Sequence, residues 1–327
     1  MYLPSMEFSS QTGLNKLFFK QKGFQMLRGI VPIIPTPFNE SEELDLEALR
    51  RFIDFAVRSR VAAVCLPAYG SEFYKLTDAE RSTVIKVAVE QANRRVPVIA
   101  QSNHPCTRSV VEIARRNESL GADVISFALP RQFPLQEEEL LRFSAAVCHA
   151  VSVPVLIQDF NPGGPSVDAN FTKRLQEESG NFRYLKLEEP LMGAKVQSIR
   201  KASQDRIGIF EGWGGMYLLE LIPYGISGTV PGLAMCDLFG LVFDLFCNGS
   251  PEKAMHIYHS MLPQIVFCLQ NMELYHHCEK RLLRARGLLE VTTVRHPSYC
   301  LDPHMEAHID LLNRAILSEL DRQGLRT

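Results

Sequence analysis

Lys186 is the residue whose setting most asks for chemistry. It interrupts the apolar run Tyr184-Leu185-Lys186-Leu187. A lysine is rarely buried without a partner or a task. Burial strips hydration from the ammonium and lowers its pKa, and the neutral amine is the form that attacks a carbonyl carbon. Glu188 follows two residues later, on the same face if the run is a strand. It suits a proton carrier beside the amine and equally an ion pair with it. Glu189 should face away. From position alone, Lys186 fits a nucleophile and a structural ion pair equally well.

Other groups with reactive or ligating side chains are less suggestive. His304 and His308 stand four apart on a helix pattern, a spacing that can bind metal, but without the HExxH order. His276 and His277, beside Cys278, read as helix surface. Gly212-Trp213-Gly214-Gly215 lacks the spacing of a phosphate-binding loop. It reads as a loop after a strand, with Trp213 as a wall of the site or a core residue. No metal and no cofactor are expected.

A site at Lys186 needs elements to hold it. Short apolar runs recur at 30–34, 62–66, 96–100, 124–129, 153–157, 184–187, 207–210 and 226–230. They are near-continuously apolar, as parallel strands buried on both faces should be. Between them lie helix-spaced stripes, such as Leu46, Leu49, Phe52, Ile53 and Ala56. Thr77-Asp-Ala-Glu80 has the form of a capping box. This alternation predicts an α/β fold, a (β/α)8 TIM barrel, with catalytic groups at the C-terminal ends of its strands. A doubly wound sheet would carry a glycine-rich turn after its first strand, but the chain has Pro35-Thr-Pro-Phe38 there. After Val230 the pattern is wholly helical. The expected organisation is a flexible extension over residues 1–25, a barrel over 26–250 and a C-terminal helical appendage over 251–327.

Bulk properties narrow the function. Of 327 residues, 46% are hydrophobic and the net charge is −2. No basic excess exists to hold phosphate backbones, so nucleic acid is not an expected partner. No apolar run is long enough to span a membrane. The eight cysteines form no CxxC pair and read as reduced thiols, implying a cytoplasmic protein. The extension has no arginine, which argues against an organelle-targeting segment.

Several motifs, in order, resemble the dihydrodipicolinate synthase/N-acetylneuraminate lyase family from about Arg28 to Leu289. They are Gly29-Ile-Val-Pro-Ile-Ile-Pro-Thr-Pro-Phe38, Ser71-Glu72 followed by Leu76-Thr-Asp-Ala-Glu-Arg81, Gly121-Ala-Asp123, Tyr184-Leu-Lys-Leu-Glu188 and Gly225-Ile-Ser-Gly228. The resemblance implies that Lys186 forms a Schiff base with a 2-oxo acid. It also implies an oligomer, a tetramer or dimer.

The departures bear on the reaction. Where the family has G-T-T-G-E, this chain has Ala68-Tyr-Gly-Ser-Glu72. Gln158 stands where a tyrosine is expected, and glutamine cannot act as acid or base. The arginine that often follows is replaced by Gly163-Gly-Pro-Ser166. A subgroup resembling 2-keto-3-deoxyarabonate dehydratases shares Gln158-Asp159, Ser71-Glu72 and Lys186-Leu-Glu188. The expected reaction is therefore dehydration of a 2-keto-3-deoxy sugar acid. The alternatives are aldol chemistry on pyruvate, as in dihydrodipicolinate synthase or N-acetylneuraminate lyase, and a barrel that binds a sugar acid without turnover. Lys186, Glu188 and Tyr69 are the expected catalytic residues. Gly70, Ser71 and Glu72 are expected around the substrate carboxylate, Arg131 and Gln132 at its hydroxyls, and Gln158, Trp213 and Gly228 as further contacts.

Overall fold

The structure is a computed structural model that describes residues 26–161 and 164–325; the expected N-terminal extension lies outside them. Eight short strands are β1 Gly29–Ile30, β2 Val64–Leu66, β3 Val98–Gln101, β4 Val124–Ala128, β5 Val155–Phe160, β6 Phe182–Glu188, β7 Gly208–Glu211 and β8 Gly228–Thr229. Between them run α1 Leu46–Arg58, α2 Asp78–Ala92, α3 Thr107–Ser119, α4 Glu137–Ala150, α5 Ala169–Glu178, α6 Gly193–Ser203 and the short α7 Leu218–Leu221. The chain continues through α8 Cys236–Cys247, α9 Pro251–Cys268, α10 Met272–Ala285 and α11 Pro303–Arg322.

Each strand pairs in parallel with its sequence neighbour, and β8 returns to β1. Ile33 closes the remaining seam by bridging Cys65 of β2 and Gly232 beyond β8. The result is the (β/α)8 barrel that the apolar runs predict. Local signals start its helices. Thr77 and Glu80 form a full capping box on α2, and Asp302 accepts from two amides at the start of α11, with Pro303 next.

Two apolar layers hold the barrel. Its interior is filled by Val31, Cys65, Ile99, Leu156, Tyr184 and Phe210, among others. A larger layer lies between sheet and helices, and it takes in Met261, Ile265, Leu282 and Ile316 of the last three helices. The helices after residue 251 thus share the core of the barrel. On β6, Tyr184 stacks near Phe210 and its hydroxyl accepts from Leu27 N at 2.9 Å. This aromatic layer plugs the lower interior, so Lys186 and Glu188 stand above it, toward the C-terminal mouth.

Gly228 serves closure. A Cβ there would lie 1.7 Å from the Gly29 carbonyl oxygen across the β1–β8 seam. The backbones approach too closely there for any side chain, so closure alone requires glycine at this position, which was expected as a substrate contact. Gly228→Ala is expected to cost about 3 kcal/mol or more of stability, the upper range for overpacking. A urea unfolding midpoint would show it.

Candidate active site

Strand β6 presents Lys186 and Glu188 to the interior by simple alternation. Lys186 Nζ lies 2.8 Å from Glu188 Oε1, and both side chains are buried. Gln158 of β5 is in direct register with Lys186. Its Nε2 donates to Glu188 Oε1 at 2.7 Å. Gln101 of β3 in turn donates to Gln158 Oε1 at 2.5 Å. A glutamine pair therefore crosses the barrel mouth and aims an N–H at the carboxylate. Burial pushes the Glu188 carboxyl above its ordinary value, and Lys186 and Gln158 partly offset this. A carboxyl raised in this way beside an amine is suited to exchange a proton with it.

Tyr69 begins a 3-10 turn, Tyr69–Ser71, just beyond β2. It meets Phe73 edge-on at 5.0 Å between ring centroids. Burial, then the charge of Glu188, raises the pKa of its phenol, so the hydroxyl stays protonated as a donor. Tyr69 also lines a mouth cavity of about 290 Å³ together with Phe73, Asn103, Arg131 and Gln132. A larger cavity of about 530 Å³, lined by Glu42, His277, Arg281 and Thr293 among others, includes none of the residues around Lys186.

Three expected contacts, Ser71, Glu72 and Arg131, are engaged inside the protein. Ser71 is buried and donates its hydroxyl to Ile34 O at 2.6 Å. Glu72 is fully buried and pairs with Lys280 at 2.5 Å and Lys75 at 3.1 Å. Its left-handed backbone, φ 57° and ψ 33°, starts a second turn. Neither side chain is free for a substrate. The turn also uses the amides of Ser71 and Glu72, which donate to Ala68 O and Tyr69 O, but not those of Tyr69 and Gly70. The latter two are the amides of this turn left without a backbone acceptor. Arg131 forms a two-pronged pair with Asp159 at 2.8 and 2.6 Å, so two of its five N–H donors are held inside the protein and the pair fixes its guanidinium. Gln132 is exposed at the rim. Trp213 lies on the loop after β7, 5.6 Å from Phe160 between ring centroids.

The histidines divide. His304 and His308 are exposed. His276 corrects the surface expectation: it is buried, 3.0 Å from the Tyr74 hydroxyl, and burial holds its pKa well down. Among the described residues, no cluster of His, Cys, Asp or Glu could hold a metal ion, and no helix is long and apolar enough to cross a membrane.

Sequence reasoning missed Gln101, because a polar residue at a strand end gives no sign of its partner across the barrel. It placed Gly212 in the loop after the seventh strand but not its close packing on Lys186 and Glu188. A Cβ there would fall 2.5 Å from Glu188 Cγ and 2.7 Å from Lys186 Cε. Gly212→Ala is expected to displace both side chains and lower kcat/KM about 100-fold, the scale of an ångström-sized misplacement. Steady-state kinetics would measure it.

A buried lysine on the sixth strand of a barrel, beside a buried carboxyl, is an arrangement that a class I lyase can use. The chain belongs to the dihydrodipicolinate synthetase family, which it matches over residues 26–314. It is 29% identical over 303 residues to an L-2-keto-3-deoxyarabonate dehydratase of Azospirillum brasilense, covering 91% of this chain and 96% of that one. It is 25% identical over 268 residues to a 4-hydroxy-tetrahydrodipicolinate synthase of Phocaeicola vulgatus, covering 81% and 89%. The fold matches the crystal structure of dihydrodipicolinate synthase from Rhodopseudomonas palustris with a TM-score of 0.82 at 23% identity, over 88% of this chain and 97% of that one.

Proposed function

We propose that this lyase dehydrates a 2-keto-3-deoxy sugar acid through a Schiff base on Lys186. The observation that carries the reading is Gln158. It stands in register with Lys186 and binds Glu188, where the family resemblance leads one to expect a phenol. An amide positions a carboxyl but cannot relay a proton, which disfavours chemistry that moves a proton through that position.

The neutral Lys186 amine adds to the C2 carbonyl, and loss of water with a proton from the Glu188 carboxyl gives a protonated imine and a Glu188 carboxylate. That cation acidifies C3. Glu188, 2.8 Å from Lys186 Nζ, takes the C3 proton, and the electron pair is held as an enamine. Collapse of the enamine expels the C4 hydroxyl, which leaves as water with a proton from the Tyr69 phenol or from a water. Hydrolysis then frees the lysine. The Tyr69 and Gly70 amides serve the substrate carboxylate. No carbon–carbon bond breaks.

The dehydratase named among the relatives supports this reading. The test is product analysis with 2-keto-3-deoxyarabonate. The expected product keeps all the carbons of the substrate and has lost one water. Stoichiometric release of pyruvate would instead establish aldol cleavage and overturn the proposal.

A further inference from the structure

Glu211 is a fully buried carboxyl at the end of β7 that the mechanism above does not use. Its Oε1 accepts from Trp213 N at 2.9 Å, and the Tyr217 amide donates to it as well. The Thr229 hydroxyl of β8 bonds its Oε2. The carbonyls of the same loop are taken from the other side. Tyr258 of α9 donates its hydroxyl to Gly215 O at 2.8 Å and also contacts Met216 O. The loop so held carries Gly212, where Lys186 and Glu188 fill the space a Cβ would take, and Trp213, which faces Phe160.

A buried carboxyl is expensive unless its bonds are filled. Here they are filled almost wholly by the amides of one loop and by one hydroxyl. Nothing in barrel closure requires this, since the β7–β8 ladder is made by backbone groups. We infer that Glu211 is a positioning residue, whose carboxyl clamps the loop from Gly212 to Tyr217 and thereby fixes the Trp213 wall over the Schiff-base lysine. The clamp and the dehydratase reading are independent: it would serve any 2-oxo acid bound at Lys186.

Glu211 is also tunable. Burial pushes its carboxyl up to about 7, against the hydrogen bonds of Thr229, Tyr217 and Trp213. The titratable groups that face it are Glu188 of β6, itself paired with Lys186, Tyr217 of the loop and Tyr258 of α9. Glu220 of α7 faces the two tyrosines. Below pH 7 the carboxyl holds its proton, and Thr229 can accept from it. Above pH 7 the charge is exposed to the two loop amides, and Thr229 must donate.

Trp213 is the only tryptophan of the chain, so intrinsic emission reports this loop without any substrate. The full-length protein is expected to show an emission step with a midpoint near pH 7. Glu211→Gln, which keeps the size of the side chain, is expected to abolish the step. Thr229→Val removes a donor to the charged form and should move the midpoint upward. Glu211→Ala is expected to raise the pyruvate concentration for half-maximal borohydride trapping about 10-fold, through loss of binding geometry. An unchanged emission step in Glu211→Gln, or unchanged half-saturation in Glu211→Ala, would overturn the clamp. Absence of any adduct in the unsubstituted protein would instead count against the Schiff base, and the emission result would still decide the clamp.

Discussion

Replacing Lys186 with alanine is expected to lower kcat by about 10⁴-fold or more while the protein stays folded. The magnitude is that of losing a covalent nucleophile whose role no neighbour can fill. Glu188 and Gln158 surround the position, and neither can form an imine. Stability should fall, because removing one partner of a buried pair leaves the other without it, but by less than the roughly 3 kcal/mol of a charge that must stay ionised. Glu188 is already raised by burial, so it can take up a proton when the lysine is gone. The checks are steady-state turnover and a thermal unfolding curve on the same preparation. A variant with a tenth of normal turnover would be incompatible with the assigned role.

The second large effect is on stability, at Lys280. This lysine of α10 is completely buried. Its Nζ lies 2.5 Å from Glu72 Oε1 and 4.5 Å from the Phe38 ring centroid, and it donates to Thr293 O at 2.7 Å. Burial holds its ammonium down to about 8, against the pull of Glu72. The pair therefore contributes little net stability, but breaking it leaves Glu72 with Lys75 and the Arg295 amide alone. Lys280→Met is expected to cost about 3 kcal/mol, the scale for a buried charge deprived of its partner. Glu72→Leu combined with Lys280→Met should recover most of that loss, because an apolar pair removes both charges. Urea denaturation of the single and double variants checks this. Because Glu72 ends the turn of Tyr69 and Gly70, the single variant should also bind the oxo acid more weakly.

This pair shows where sequence stops being legible. All eight strands could be read because parallel strands buried on both faces are apolar along their length, and the observed bounds shift by only a few residues. Lys186 was conspicuous for the same reason: a charge inside an apolar run. Glu188 followed from alternation within the strand. Ser71 and Glu72 could not be placed, because the side-chain direction of a turn depends on its dihedrals. The left-handed conformation at Glu72 turns its carboxyl toward α10, which lies more than 200 residues along the chain. Arg131 looked free because its partner, Asp159, stands on the next strand. The closure role of Gly228 was hidden because its neighbour across the seam, Gly29, belongs to the first strand. His276 looked exposed because α10 buries two faces, one on the barrel and one on α11, so amphipathic spacing misjudged it. In each case the missing information is a pairing between segments distant in sequence, which local pattern does not encode.

The central claim is that Lys186 attacks the carbonyl of a 2-oxo acid. Its most direct test is borohydride reduction in the presence of pyruvate or 2-keto-3-deoxyarabonate, followed by peptide mass mapping. The account predicts one reduced adduct, on the peptide that contains Lys186, and none in Lys186→Ala. An unmodified Lys186 peptide under conditions where the substrate is turned over, or an adduct on another lysine, would contradict it.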